Sequence, residues 1–281
     1  MDLDLRKLRY FVAVAEHLHF RRAAEELHIA QPALSRQVRA LERDLGVQLF
    51  DRDQRSTTLT TAGRQLLEEA GPLLAAADAT RRRVQRAARG THRLVVGFRA
   101  GITVTEATRA FSALRPDVTV DVVRVEWDDQ EELLRSGRVD IAYVRRPIDE
   151  RGLRLVPLYA EERLAALPAG HPLAGRPELS VDDLDDEVHL RYLDPVPVPG
   201  AGTGTRLRSV EEKLEHVAVG HGIIVLPRSA TEYYNRPDVV YVPVVDAEPD
   251  EVLLACEAGR RSRLLSDYTA AAQGALAAAA P

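Results

Sequence analysis

Apolar residues near the start of the chain recur at the spacing of amphipathic helices. One such stripe consists of Leu8, Phe11, Val12 and Ala15. A later stripe, at steps of 4, 3 and 4, consists of Leu34, Val38, Leu41 and Leu45. This periodicity predicts a helix over residues 31–45, preceded by one over the opening stripe and one over residues 21–28. Gly46 follows the last apolar position and is expected to end the third helix.

The face of the third helix opposite its apolar stripe is rich in hydrogen-bond donors and poor in acids. Its members are Pro32, Ser35, Arg36, Arg39 and Arg43. Pro32 suits the start of a helix, where its missing N–H costs nothing and its φ is already helical. Gln31, Ser35 and Arg36 can reach base edges, and outward-pointing amides at this helix end favour a phosphate. We predict the second half of a DNA-binding helix-turn-helix. The alternative is an ordinary solvated amphipathic helix.

Two short β-rich runs follow, at residues 47–50 and 57–60, and they bracket the charged residues 51–56. This arrangement predicts a hairpin with arginines at its tip. Arg52 and Arg55 are expected to hold phosphates or to enter the minor groove, and the alternative is a loop that is merely soluble. Three helices and a hairpin together predict a winged helix-turn-helix domain over residues 1–65.

A family resemblance is carried by many residues in fixed order within this segment. They lie at positions 8–16, 20, 22–24, 31–37, 41–42, 45–47, 49–52, 59–60 and 62–63. The segment closely resembles the LysR-type transcriptional regulators, and the similarity extends along the whole chain. The resemblance implies a homo-oligomer that binds interrupted palindromes upstream of genes and responds to a small effector bound by its C-terminal domain. By matching positions, it assigns base-proximal contacts to Gln31, Pro32, Ser35 and Arg36, and a wing contact to Arg52.

The charge distribution agrees with DNA binding by the N-terminal part alone. The net charge is −5, but residues 1–90 hold 16 Lys and Arg against 12 Asp and Glu, and the remaining residues hold 22 against 31. Positive charge therefore lies where phosphate neutralisation needs it. The 281 residues suffice for two domains of roughly 100–200 residues each. Without a long apolar run or a signal peptide, the sequence predicts a cytoplasmic protein that does not enter a membrane.

Other chemistry finds little support in the sequence. Cys256 is the single cysteine and lies in an apolar run, so it cannot form an intramolecular disulfide and is expected to be buried. The eight histidines show no metal-ligand spacing, so no metal or other cofactor is expected. No nucleophile elbow, phosphate loop or pair of catalytic carboxylates is recognisable, which argues against an enzyme.

Residues 61–90 carry a heptad-like alternation of larger and smaller side chains. The larger set is Leu66, Leu73 and Thr80, and the smaller set is Ala70, Ala77 and Val84. This pattern predicts a linker helix that pairs with its copy, which would hold two recognition helices about one turn of DNA apart. Pro72 interrupts the pattern at a cost of about 3 kcal/mol, so we expect a kink or break near residues 71–72. The alternative is two shorter helices.

From residue 94 onward, short β-rich runs alternate with helical segments. The order strand, helix, strand, helix, strand over residues 94–144 predicts a largely parallel sheet. A second such lobe is predicted from strands at 188–192, 222–226 and 239–245 and a helix at 210–219, with crossings at 164–168 and 252–256. Two α/β lobes resemble periplasmic solute-binding proteins, the known architecture of the family's effector domain. We assign that domain to residues 91–281, with lobe I at about 91–163 and 252–281 and lobe II at about 164–251. The expected fold class is an α+β multidomain protein.

Ligands in open α/β sheets bind beyond the carboxyl ends of strands, which predicts a pocket at residues 99–103. Backbone amides and the Thr103 hydroxyl would hold a carboxylate there, and Arg145 would add a charge-assisted bond. Resemblance to members that bind organic acids adds Gly101 and Trp127. The predicted effector site consists of Arg99, Gly101, Ile102, Thr103, Trp127 and Arg145. The alternative is that Arg99, Arg145 and Arg146 merely pair with surface acids.

Two departures from the family pattern affect this pocket. Gly101 stands where relatives often have a hydroxyl residue, and the Pro- and Gly-rich residues 194–205 stand where relatives have a pocket loop and a helix. The second lobe is therefore expected to lack one element. The main hypothesis remains a transcription factor modulated by a small organic effector. Its expected partners are promoter DNA, further copies of the chain as a homodimer or homotetramer, and RNA polymerase. The alternatives are a constitutive DNA-binding protein whose α/β domain binds no ligand, and an enzyme.

Overall fold

The computed structural model describes residues 3–52, 57–88, 92–190, 207 and 209–279. The chain divides into two compact units, residues 1–83 and 84–281. Among the described residues, none of the helices combines the length and apolar character needed to cross a bilayer.

The first unit contains three helices, a two-stranded hairpin and most of a long helix. These elements are α1 (Leu5–His17), α2 (Phe20–Glu26), α3 (Gln31–Leu45), β1 (Phe50–Arg52), β2 (Thr57–Leu59) and α4 (Thr61–Ala88). The predicted third helix is confirmed at both ends. Its C-cap, Gly46, has φ of 70°, and the Gly46 and Val47 N–H groups donate back to the carbonyls of Arg43 and Glu42.

Both predicted apolar stripes face the core of the first unit. Leu8, Phe11, Leu34 and Val38 are fully buried, and so is the first residue of the hairpin, Phe50. The Phe11 and Phe50 rings lie 5.4 Å apart between centroids, so the hairpin is packed directly onto the helices. This core fixes the position of α3 within the unit.

Of the predicted kink or break of the linker helix near residues 71–72, the break is wrong, and so is the alternative of two shorter helices. α4 continues without interruption through Pro72. Ala70, before the proline, is fully buried in the first unit's core, and Leu74, after it, packs against the same core. Apolar packing on both sides of Pro72 therefore offsets the hydrogen bond that the proline removes.

The second unit contains two sheets and the helices packed on them. Its elements are β3 (Arg93–Phe98), α5 (Thr105–Leu114), β4 (Thr119–Arg124), α6 (Gln130–Arg135), β5 (Ile141–Arg145), β6 (Leu153–Glu161), β7 (Arg163–Pro168), α7 (Val210–Ala218), β8 (Ile224–Pro227), α8 (Arg228–Tyr233), β9 (Val239–Pro243), β10 (Asp250–Glu257) and α9 (Arg263–Ala279).

The first lobe is built on a five-stranded sheet with the order β4-β3-β5-β10-β6. As predicted, β3 pairs in parallel with β4 and with β5, whereas β10 is antiparallel to both of its neighbours. Phe111 and Tyr143 pack against Tyr268 of α9 in the core of this lobe. β6, α8 and α9 were not predicted from the sequence.

The second lobe is built on a three-stranded sheet with the order β8-β7-β9, and the prediction of a second parallel sheet is wrong. β7 lies in the centre and pairs antiparallel with both neighbours. The chain enters β7 from the first lobe and runs in the opposite direction in β8 and in β9. The predicted strand at residues 188–192 is also wrong over 188–190, where one isolated parallel bridge joins His189 to Ile223. Residues 191–192 and the Pro- and Gly-rich residues 194–205 lie outside the described residues.

Gly63, in the first turn of α4, is predicted to be essential for packing of the hairpin. A Cβ at this position would lie 2.1 Å from the Leu49 carbonyl oxygen. Gly63→Ala should lower the free energy of unfolding by about 1–3 kcal/mol, because backbone must move to admit the methyl group. Urea unfolding of the full chain, followed by far-UV circular dichroism, measures this change.

Gly274 in α9 provides the matched control, because a Cβ there would meet nothing within 4 Å. Gly274→Ala should stabilise the protein by up to about 1 kcal/mol through the higher helix propensity of alanine. Equal effects of the two substitutions would contradict the assigned role of Gly63.

Candidate DNA-binding and effector sites

α3 presents a polar face to solvent while its opposite face is buried. Gln31, Pro32, Arg36 and Arg39 are exposed, and Ser35 is half-buried. The face therefore carries the predicted base-contacting residues together, on one side of a helix whose position is set by the unit's core. Within the described part of the chain, neither Arg36 nor Arg39 forms an ion pair with an acid. Their charges are available to phosphates or base edges.

The N-terminus of α3 offers fewer free amides than the sequence suggested. The Ala33 and Leu34 N–H groups both donate to the Ala30 carbonyl, at 2.9 and 3.2 Å, and Pro32 has no N–H. The Gln31 N–H is the backbone donor that remains in this turn. Phosphate contacts at this face therefore depend more on side chains than on the helix end.

Glu42 connects the third helix to the hairpin. Its Oε1 accepts hydrogen bonds from the Leu49 and Phe50 N–H groups, at 3.1 and 3.4 Å. β1 and β2 then pair in register, with Phe50 opposite Leu59 and Arg52 opposite Thr57. Arg52 thus lies at the distal end of β1, although the structure does not describe its side chain. The other predicted wing residue, Arg55, lies outside the described residues.

A cavity of about 330 Å³ lies between the two lobes of the second unit. The first lobe contributes Arg99, Ala100, Trp127, Arg145, Arg146, Pro147 and Asp250. The second lobe contributes Arg163, His189, Leu190, Val210, Lys213, Ile224, Val225, Leu226, Pro227 and Ala230. The cavity therefore combines an apolar wall on β8 with charged side chains from both lobes, an arrangement typical of small-molecule sites.

Three of the six predicted effector residues line this cavity and three do not. Arg99, Trp127 and Arg145 are lining residues. Ile102 is buried in the core of the first lobe, and Thr103 is exposed elsewhere. Gly101 has φ of 80°, and a Cβ on it would lie 2.6 Å from the Ala230 backbone. That close approach leaves no room for the hydroxyl residue that relatives often have at this point.

Arg145 is held by acids of the protein itself. Its buried guanidinium forms ion pairs with Glu161, at 2.7 Å, and with Asp250, and it donates to the Ser229 hydroxyl at 2.9 Å. Arg163 reaches Asp250 from the second lobe at 3.0 Å. Burial of the Arg145 and Asp250 charges is tolerated only because each is paired, so Arg145 contributes to the cavity mainly as part of a neutralised cluster.

Arg99 is fixed against the first lobe by two contacts. Its guanidinium lies 4.9 Å from the centroid of the Trp127 ring, a cation–π distance, and its Nη1 donates to Oε1 of the buried Gln130 at 3.2 Å. These contacts hold a positive charge and an aromatic surface side by side on the cavity wall.

Four polar lining residues were not predicted from the sequence: Lys213, Arg163, His189 and Asp250. Lys213 is 2% exposed, in contrast to most lysines. The sequence pattern could have predicted its burial, because Lys213 lies on the same helical stripe as Val210, Leu214 and Val217. A lysine in the buried stripe of an amphipathic helix indicates a polar environment beneath that helix.

Among the residues that the structure describes, the cavity lining carries more basic than acidic side chains. Arg99, Arg145, Arg146, Arg163 and Lys213 are basic, and Asp250 is acidic. Among the described residues, no three His, Cys, Asp or Glu side chains are grouped so that they could hold a metal ion. Cys256 is buried, and its Sγ accepts a hydrogen bond from Arg154 at 3.3 Å.

Comparison with known sequences identifies both units. A sequence profile described as "Bacterial regulatory helix-turn-helix protein, lysR family" matches residues 5–64, and one described as "LysR substrate binding domain" matches residues 85–277. HcaR, the Hca operon transcriptional activator of Escherichia coli, is 31% identical over 98% of this chain and 99% of its own. The transcriptional regulator BenM of Acinetobacter baylyi is 32% identical over 89% of this chain and 88% of its own.

Solved structures show the same fold. The crystal structure of full-length BenM matches 99% of this chain and 98% of its own with a TM-score of 0.55 and 27% identity. That of CbnR, a LysR family transcriptional regulator, matches 98% of this chain and 99% of its own with a TM-score of 0.63. At 24% identity, CbnR supports the fold alone. The chain belongs to the LysR family of DNA-binding transcriptional regulators, which carry an effector-binding C-terminal domain.

Proposed function

We propose that this regulator reads DNA through the exposed face of α3 and is controlled by a small organic anion bound between the two lobes. The observation that carries the DNA-binding part is the exposed set Gln31, Arg36 and Arg39, presented on one face of a helix that the core holds in place. Gln31, Pro32, Ser35 and Arg36 are assigned to the base edges, Arg39 to the phosphates, and Arg52 and Arg55 to the wing contact.

The chemical class of the effector follows from the cavity lining. Arg99 and Lys213 bring positive charge to the cavity from opposite lobes. The Trp127 ring and the β8 side chains supply apolar surface in the same cavity. This combination supports a compact carboxylate with an apolar body. A cavity of about 330 Å³ is of the size typical of small-molecule sites.

We propose that the chain acts as a homo-oligomer that pairs through α4. Leu73 and Val84, both members of the heptad-like pattern, are 45% and 64% exposed, whereas Ala70 of the same pattern is buried in the first unit's own core. Large apolar side chains at such spacing on a long helix are favourable when a second helix covers them. The effector would then change the relative population of assemblies that differ in how they hold the DNA. We assign residues 1–65 to DNA binding, 61–90 to pairing and 91–281 to the effector.

Arg36 is predicted to read base pairs. After selection of a preferred duplex from a random pool, Arg36→Ala should weaken binding to that duplex by about 1–3 kcal/mol and relax preference at one position. Competition among duplexes with single base-pair changes measures this. Arg43→Ala, at the far end of the same helix, serves as the control and should leave the preference unchanged. A uniform loss on all duplexes would instead make Arg36 a phosphate contact.

Lys213 is predicted to bind the effector's negative charge. A thermal-shift screen of carboxylates should yield a stabilising compound, whose affinity is then measured through Trp127 fluorescence. Lys213→Met should weaken that affinity about ten- to hundredfold, because a hydrogen bond to a charged group is lost. Arg99→Gln, on the opposite wall, should act in the same direction, whereas the exposed Arg109→Gln should not. Unchanged affinity in both cavity variants would refute an anionic effector in this cavity.

A further inference from the structure

The two lobes are joined beside the cavity by a bidentate ion pair. Arg124, the last residue of β4 in the first lobe, donates from Nη1 and Nη2 to the two carboxylate oxygens of Glu211 in the first turn of α7, at 2.7 and 3.0 Å. The neighbouring residues Trp127 and Val210 both line the cavity. The pair therefore connects two chain segments that form opposite walls of the same site.

Each member of the pair is braced by a residue of its own lobe. Glu126 contacts the Arg124 Nε at 2.7 Å, and the Tyr234 hydroxyl donates to Glu211 Oε1 at 3.0 Å. The Arg124 guanidinium lowers the pKa of Glu211 to about 2, so this carboxylate is charged at neutral pH. Two planar groups already fixed in orientation lose less freedom when they meet, which favours this contact over an unbraced surface pair.

The pair is accessible to solvent, unlike the buried charges within the cavity. The Arg124 and Glu211 side chains are 37% and 46% exposed, whereas those of Arg145 and Asp250 are 6% and 8% exposed. An exposed ion pair contributes little free energy and is weakened by salt. Such a contact is suited to repeated opening, whereas breaking the buried cluster would leave uncompensated charges.

We propose that Arg124 and Glu211 form a latch that holds the two lobes closed at this edge of the cavity and limits the entry and release of the effector. The role in effector exchange rests on the proposed function of the cavity. The closure itself does not, because it follows from the Arg124–Glu211 contact alone.

Trp127 provides a direct test, because it is the only tryptophan of the chain and lies on the cavity wall. Its fluorescence quenching by acrylamide measures how often the cavity opens. Glu211→Gln and Arg124→Gln should each raise the bimolecular quenching constant by about two- to fivefold, the factor expected for loss of one exposed ion pair. The double variant should show no larger increase in the quenching constant than either single variant, because both substitutions remove the same contact.

Glu215→Gln is the matched control, since Glu215 lies one turn along α7 and pairs with Arg236 within the second lobe. It should leave quenching unchanged. The exchanged pair Arg124→Glu with Glu211→Arg should return the constant toward the wild-type value. High salt should raise quenching in the wild type and have little effect in the single variants.

An unchanged quenching constant in Glu211→Gln, with the fold intact by circular dichroism, would overturn the latch. So would an equal rise in Glu215→Gln, which would indicate general loosening of α7. Because acrylamide is the only probe, these outcomes are independent of whether any carboxylate binds. Failure of the latch and failure of the anionic effector are therefore distinguishable.

Discussion

The effector unit depends on the pairing of one buried arginine. Arg145 is the last residue of β5. Its two partners lie where the chain passes between the lobes, because Glu161 is the last residue of β6 and Asp250 is the first residue of β10. A buried guanidinium is tolerated only with such partners, and a guanidinium left with neither carboxylate would cost about 3–5 kcal/mol to bury. The cluster thus fixes both crossings and, with them, the back wall of the cavity.

Two further contacts between the lobes differ in how closely they are packed. Near the buried cluster, Gly101 approaches the backbone of Ala230 so closely that a side chain at residue 101 would not fit. Elsewhere between the lobes, Arg124 and Glu211 form an ion pair that is accessible to solvent. On the proposed function, a closely packed contact and a solvent-accessible one would let the cavity exchange its effector while the lobes stay connected.

Local signals predicted the DNA-binding unit well, because its features lie close together in the sequence. The bounds of α3 follow from a helical stripe, an early proline and a terminal glycine, and the hairpin follows from two short β-rich runs. The effector site was only partly predictable. Arg99 follows the first strand of the lobe, and Trp127 was predicted from the family resemblance, but Lys213 and Asp250 reach the cavity from distant segments. Likewise, α4 continues through Pro72 because Ala70 and Leu74 pack against the core of the first unit. Helix propensity alone does not predict this packing.

The most direct test of the regulator's central property is its affinity for DNA upstream of its own gene compared with a scrambled duplex, measured by fluorescence anisotropy across a series of salt concentrations. An α3 face that reads bases predicts a preference of about a thousandfold or more near physiological salt, and phosphate contacts predict that both affinities fall as salt rises. Equal affinity for the two duplexes at every salt concentration would contradict sequence-specific recognition of this DNA.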